Sequence, residues 1–301
     1  MPVWAKYILA ASLQEALEAA ANAPGTARFI AGGTDLLLDL QQGRHPPVHT
    51  LIDITALAET TALEIRSDEL FIGAAVPLSR IVHSPVVMEH AQALAEASAL
   101  IGGPQVRNTA TLGGNVCHAL PAADGSIALL ALNASAEIAG RNGCRRAPLG
   151  ELFLGPGRSA LDPRAELLTG FYLPLKSSGQ ASAHRRVMRP QGVAIAILNM
   201  AIWLARQDDL IQDIRIAVGP AGPKPLRAVQ AEDFLRGKPY RQETIAQSLD
   251  LLLAEARFRT SPHRASAEYR RRLAGVLLED ALQAAWQRAG ILSGRQGTDR
   301  S

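Results

Sequence analysis

Apolar positions in the first third of the chain alternate between two rhythms, one suited to helices and one to strands. Leu13, Ala16, Leu17 and Ala20 share one helical face, and Ser12-x-x-Glu15 ahead of them has the form of a capping box, which predicts a helix through about Ala21. Gly25 ends that unit, and Arg28-Phe29-Ile30 is a short strand running into Gly32-Gly33. Thr34 or Asp35 can cap a following helix, Leu36 to Gln42, which Gly43 stops. With Leu51-Ile52-Asp53-Ile54 as the next strand, these pieces make a β-α-β unit of roughly fifty residues.

Leu63–Ile65 and Leu70–Ile72 read as hairpin strands around Arg66-Ser67-Asp68, and Pro77 opens a helical turn. Val86 to Leu100 reads as one long helix with Val87, His90, Ala91, Leu94, Ala95 and Ser98 on a face, ending at Gly102-Gly103-Pro104. Ser126–Leu132 is predicted as a buried helix, Ser135–Ala139 as a strand before the turn signal Asn142-Gly143, and Leu167–Leu173 as a strand closed by Pro174. The small polar stretch Lys176-Ser177-Ser178-Gly179-Gln180 marks a boundary. Val193–Ala205 is apolar without a clear period. A strand is favoured there, because Gln207-Asp208-Asp209 then becomes a hairpin turn into Ile211–Val218. After a proline-rich loop, helices are predicted near Val229–Leu235, Gln242–Ala256 and Ser266–Arg288, with a polar, frayed tail from Gly290 and no internal repeat.

A chain of 301 residues has room for two or three domains. Hydrophobic content of 48% against 20% charge is globular rather than disordered, and a net charge of +3 gives no nucleic-acid footprint. Arg185-Arg186 and Arg270-Arg271-Arg272 read as solvated faces or subunit contacts. The two cysteines, Cys117 and Cys144, form no CxxC motif, so a reducing compartment is expected. Neither a signal peptide nor a membrane-spanning apolar run is present, which makes a soluble protein of the cytoplasm the expectation.

Two glycine pairs stand out about eighty residues apart. Ala31-Gly32-Gly33-Thr34-Asp35 follows a strand and precedes a helix, a place where backbone N–H groups and the helix dipole favour an anion. It fits neither G-x-G-x-x-G nor the Walker spacing. Arg107-Asn108-Thr109-Ala110-Thr111-Leu112-Gly113-Gly114-Asn115 is denser in hydroxyl and amide side chains than a plain connection needs. The two loops are expected to face each other and hold one phosphate-bearing cofactor. Asp124, after Pro121-Ala122-Ala123, is either a plain N-cap or an acceptor for sugar-type hydroxyls. Cys117 and His118 would point to opposite faces of a strand, so Cys117 is expected to be buried and structural. His45, His49, His83 and His90 lack metal-ligand spacing, and Asp208-Asp209 sits in a turn. With no acid–base or nucleophilic set, the chemistry is expected to come from a cofactor.

These same residues resemble the FAD-binding medium subunit of the molybdenum hydroxylases, the carbon monoxide dehydrogenase and xanthine dehydrogenase group. The likeness rests on Ala31–Leu36, Gln105–Asn115 and Pro121–Asp124. Leu51–Ile54, Phe71-Ile72-Gly73-Ala74, Gly155-x-Gly157-Arg158 and Ser266-Ala267-x-Tyr269-Arg270-Arg271-x-Leu273 support it. It implies an α+β fold: a two-subdomain FAD domain of the vanillyl-alcohol-oxidase (PCMH) type over residues 1–176, split into about 1–55 and 56–176. A C-terminal antiparallel-sheet-and-helix domain would cover 181–290, and a tail 291–301.

The resemblance also implies roles. Phe29, Ile30, Ala31, Gly32, Gly33, Thr34, Asp35 and Leu36 would line the FAD pyrophosphate, with Ala110, Thr111, Gly114 and Asn115 completing the cradle. Asp124 would take ribityl or ribose hydroxyls, and Ile101 and Leu161 would lie beside the rings. Where the family often has an aromatic-x-Lys or aromatic-Lys pair, this chain has His184-Arg185, and Arg185 keeps the charge with a planar fork in place of an ammonium. Leu120 replaces a small polar residue before Pro121, and no cysteine-rich insert separates Cys117 from Cys144, so no cluster is expected here. The implied activity is electron transfer from a 2Fe-2S subunit to NAD, a quinone or another acceptor. A molybdopterin-binding large subunit would oxidise the substrate, in a dimer of heterotrimers, and this chain would carry neither catalytic residues nor metal. The alternatives are a self-contained FAD-dependent oxidoreductase acting on a small substrate, and an assembly module that has lost FAD.

Overall fold

A computed structural model describes residues 3–189 and 195–291. The start of the apolar run at 193–194 and the tail 292–301 lie outside the described residues.

The N-terminal layer is a parallel sheet in the order β1-β3-β2, built from β1 (Trp4–Leu9), β2 (Ala27–Ile30) and β3 (Val48–Asp53). Helix α1 (Leu13–Ala21) packs Ala16, Leu17 and Ala20 against it. Ser12 Oγ accepts the Glu15 N–H at 3.1 Å, while the Glu15 carboxylate accepts the N–H of Ala11 at 2.8 Å, so the capping box closes one residue early. Helix α2 (Leu36–Gln41) crosses from β2 to β3. Neither Thr34 nor Asp35 caps it through a side chain, contrary to expectation, because Asp35 is drawn to His118. β1 had no sequence signature, since its Tyr7 and Leu9 are exposed on an edge strand and leave no apolar alternation.

After α3 (Ala58–Thr61) comes an antiparallel sheet in the order β4-β5-β10-β6-β7. Its strands are β4 (Leu63–Arg66), β5 (Glu69–Gly73), β6 (Ser135–Gly140), β7 (Gly143–Pro148) and β10 (Glu166–Pro174), with a two-stranded ribbon, β8 (Phe153–Gly155) and β9 (Arg158–Ser159), between the last two. Helices α4 (Leu78–Val82), α5 (Pro85–His90), α6 (Gln92–Ala99), α7 (Pro104–Arg107), α8 (Leu112–Cys117) and α9 (Asp124–Ala131) stand between β5 and β6 in sequence. The long helix expected over Val86–Leu100 is two helices, broken at Ala91, whose φ of −138° and ψ of 47° leave the helical region. The break is sustained from far along the chain: Ser182 Oγ accepts the Ala93 N–H at 3.0 Å and caps the start of α6.

The C-terminal unit is an antiparallel sheet of β11 (Gln180–Val187), β12 (Leu198–Gln207), β13 (Leu210–Gly219) and the short β14 (Leu226–Arg227), with β15 (Lys238–Pro239) beside the start of β13. One face carries α10 (Val229–Leu235), α11 (Gln242–Glu255) and α12 (Ala267–Ile291), and the other sits on α6 and α9. β12 is therefore buried on both sides, which explains why its sequence reads as apolar without alternation. The hairpin turn at Asp208 is as expected, with a left-handed φ of 52°. Helix α12 lays Ala274, Leu278, Ala281, Leu282, Ala285 and Ala289 on the sheet, and it continues through Gly290 where fraying was expected. The two units meet without slack: a Cβ on Gly219 would lie 2.2 Å from the carbonyl oxygen of Pro121.

Candidate functional site

β2 delivers the chain into Gly32-Gly33. Gly33 has φ of +65°, a conformation that favours glycine. This turn lifts the backbone away from the sheet, so the N–H groups of Gly32, Gly33, Thr34 and Asp35 donate to no described residue. Four consecutive undonated N–H groups on a partly exposed loop form a nest for an anion. Helix α2 behind them has only six residues, so the loop amides themselves carry the attraction. The side chains of Phe29, Ile30, Ala31 and Leu36 pack into the cores on either side of the sheet, which leaves only their backbone for a ligand at this loop.

The second glycine pair touches the first. A Cβ on Gly32 would sit 2.0 Å from the carbonyl oxygen of Thr109, so the two loops meet backbone to backbone. Beyond Ala110, whose carbonyl takes the Leu78 N–H at 2.9 Å, the stretch expected to be a donor-rich loop is the start of helix α8. Its amides are already engaged: Leu112 with Val76, Gly113 with Ala74 at 2.8 Å, and Gly114 with Thr111 Oγ1 at 3.2 Å. What α8 offers a ligand is a wall of Gly114, whose added Cβ would meet only Thr111 Oγ1, and the side chain of Asn115. Asn115 Oδ1 is buried with no partner among the described residues and lies 2.7 Å from the Cβ position of Gly125, at the start of α9.

Cys117 and His118 end a helix instead of lying on a strand, and Cys117 is exposed where burial was expected. Protein packed around the sulfur disfavours the thiolate and pushes its pKa up to about 12, although the residue as a whole keeps exposed surface. His118 Nδ1 lies 3.3 Å from the Asp35 carboxylate and its Nε2 lies 3.9 Å from that of Asp39. The hydrogen bond with Asp35 raises the His118 pKa above the ordinary value and lowers that of Asp35. This ion pair latches the two loops together, and no spacing in the sequence announces it.

Asp124 opens α9, with Ala123 in the capping position, so it is no N-cap. Its carboxylate is buried at the junction of the two units, accepting from Arg186 Nη1 at 2.7 Å and Asn199 Nδ2 at 2.6 Å, with His184 Nε2 at 3.5 Å. Arg186 also donates to the carbonyl of Leu100 at 2.9 Å, next to the partly buried Ile101. Alternation along β11 decides which basic residue faces this site. Ala181 and Ala183 belong to the C-terminal core, and Arg185 shares their side of the strand. Its guanidinium reaches Glu96 of α6, 3.4 Å away, and not Asp124, whereas His184 and Arg186 approach the Asp124 carboxylate and Ser182 caps the start of α6. Arg186 is buried instead of solvated, and the period-two pattern Ala181, Ala183 could have singled it out. Leu161 lies partly buried against the central core.

Residues 4–176 match the family described as the FAD binding domain in molybdopterin dehydrogenase, and residues 183–285 match the carbon monoxide dehydrogenase flavoprotein C-terminal domain. The chain belongs to this FAD-binding family. It is 30% identical over 289 residues to the xanthine dehydrogenase FAD-binding subunit of Escherichia coli O157:H7, covering 95% of this chain and 98% of that one. It is 29% identical over 283 residues to the carbon monoxide dehydrogenase medium chain of Hydrogenophaga pseudoflava, covering 94% and 97%. Among solved structures, a carbon monoxide dehydrogenase chain from Hydrogenophaga pseudoflava superposes with a TM-score of 0.90 at 29% identity, over 96% of this chain and 99% of that one. Quinoline 2-oxidoreductase from Pseudomonas putida 86 follows at 0.86 and 28%, over 95% and 98%.

The residues present fit FAD. The undonated N–H run of Gly32–Asp35 suits a pyrophosphate, and the unpartnered Oδ1 of Asn115 is an acceptor suited to a hydroxyl. As a member of the family this chain is an FAD-binding oxidoreductase subunit of the molybdenum hydroxylase type. No helix among the described residues is long and apolar enough to cross a membrane.

Proposed function

We propose that this chain is the electron-transfer subunit of a molybdenum hydroxylase assembly. It takes electrons from an iron–sulfur subunit and passes them to an external acceptor, while a molybdopterin-binding large subunit oxidises the substrate. Bound FAD supplies the redox chemistry, accepting and releasing electrons. The chain's own residues bind and orient it. The N–H groups of Gly32, Gly33, Thr34 and Asp35 hold the pyrophosphate, and Thr111, Gly114 and Asn115 wall it from the second loop. Asn115 and Asp124 take hydroxyls of the ribityl or ribose chain, and Ile101 and Leu161 exclude water beside the rings. The cationic role that the sequence suggested for Arg185 passes to Arg186, whose guanidinium is on the Asp124 side.

The observation that carries this reading is the run of four undonated amides against the second loop. The unpaired thiols Cys117 and Cys144 accord with a cytoplasmic setting, and the name of the medium-chain relative accords with larger and smaller partner chains, which we place in a dimer of heterotrimers. The purified chain should bind FAD stoichiometrically by absorbance, and replacing both Gly33 and Gly114 by valine should abolish it. Stoichiometric FAD retained by that variant would sink the cradle assignment. Reduction of FAD by a small substrate in the isolated chain would favour a self-contained oxidoreductase instead.

A further inference from the structure

Arg270 lies in the first turn of α12 and is only 1% exposed, whereas its neighbours Arg271 and Arg272 are exposed. The basic run is therefore not a uniformly solvated face. Burying a guanidinium without a carboxylate is unfavourable, and such groups are normally paired. No carboxylate among the described residues lies within ion-pair distance of Arg270. Nη1 donates to the carbonyl of Arg259 at 3.1 Å. Nε is buried with no partner, and Nη2 donates to no described residue. Nε and Nη2 form the side of the guanidinium that takes a carboxylate or phosphate in two parallel hydrogen bonds.

The surroundings add positive charge. Burial, then Arg264 and Arg259, lower the Arg270 pKa, so like charges face it. Glu268, two residues before it, is engaged by Arg272. Arg270 also stands at the N-terminal, positive end of a helix of 25 residues. The loop before it is ordered by its own hydrogen bonds, Ser261 N–H to the Ala265 carbonyl at 2.9 Å and Ala267 N–H to Thr260 Oγ1 at 3.1 Å. Those bonds leave Arg259 and Arg264 exposed at the rim.

We propose that the Nε/Nη2 edge of Arg270, rimmed by Arg259 and Arg264 at the start of α12, binds one oxyanion, a phosphate or carboxylate group. This site is separate from the glycine loops and independent of the FAD assignment. The source is either a free phosphate or a carboxylate side chain, and the two are distinguished by probe. The full chain, saturated with FAD so that the proposed cradle is filled, is titrated with inorganic phosphate or with acetate at constant ionic strength, and its melting temperature is followed. A saturable rise is expected in the millimolar range or below, larger with phosphate for the first source and with acetate for the second. Arg270→Met should weaken that response at least tenfold. Should that variant fail to fold, the double variant Arg259→Met with Arg264→Met, both exposed, should weaken it several-fold, while Arg272→Met leaves it unchanged. No saturable rise with either probe, or the same rise in Arg270→Met or in the double variant, would overturn the proposal.

Discussion

Two glycine pairs of nearly the same composition do different work in this fold. At Gly32-Gly33, with Gly33 left-handed, four consecutive amides find no acceptor among the described residues. At Gly113-Gly114 the amides of Leu112, Gly113 and Gly114 are all consumed by Val76, Ala74 and Thr111. The second pair is glycine for reasons of space: a Cβ on Gly113 would lie 2.6 Å from that of Ala74. The first pair supplies free donors and, at Gly32, the contact between the loops, while Gly113 makes room for Ala74; a count of glycines and hydroxyls cannot separate these tasks.

The largest effect should come from Gly32, where the loops meet. Gly32→Ala drives a methyl into the Thr109 carbonyl, which must displace one loop from the other, so FAD binding should be lost. Flavin absorbance of the purified variant checks this, and FAD retained at wild-type affinity would mean that the loops do not need their contact.

The next effect separates Arg186 from Arg185. Removing one partner of the buried Asp124–Arg186 pair costs on the order of 3–5 kcal/mol, whereas truncating the half-exposed Arg185 should cost about 1 kcal/mol or less. Urea denaturation of Arg186→Met and Arg185→Met should show that order, and equal losses would remove the distinction. A smaller effect is expected at the cap of α8. Thr111→Ala gives up the bond to the Gly114 amide and should cost about 1 kcal/mol of stability.

The smallest and most conditional effect is the His118–Asp35 latch. His118 has a raised pKa, so its contribution is present below 6.5 and fades as pH rises through the higher folded value. Asp35 has a lowered pKa, so its contribution is present above 3.8 and fades as pH falls through the lower folded value. Stability should therefore fall on either side of that window, and His118→Gln should flatten the alkaline limb of a melting-temperature profile. An unchanged alkaline limb in the variant would remove the latch.

The legible parts of the fold were those set by local pattern. The stripe of α1, the turn at Asp208 and the approach of the two glycine loops follow from spacing and turn chemistry. What failed depended on distant partners. Ser182 splits the helix expected over Val86–Leu100, and His118 draws Asp35 away from capping α2. Cys117 ends helix α8 with exposed surface, where a buried strand position was expected. The family's aromatic-Lys position pointed to Arg185, but along β11 it is Arg186 whose guanidinium reaches Asp124, while Arg185 reaches Glu96.

The most direct measurement follows the backbone amides themselves. In an isotopically labelled chain titrated with ADP, which carries the pyrophosphate without the flavin rings, the amide resonances of Gly32, Gly33, Thr34 and Asp35 should shift in one saturable process. Those of Leu112, Gly113 and Gly114, whose hydrogens are already bonded within the protein, should move far less. Shifts confined to the second loop, or none in the first, would contradict the division of labour between the two glycine pairs.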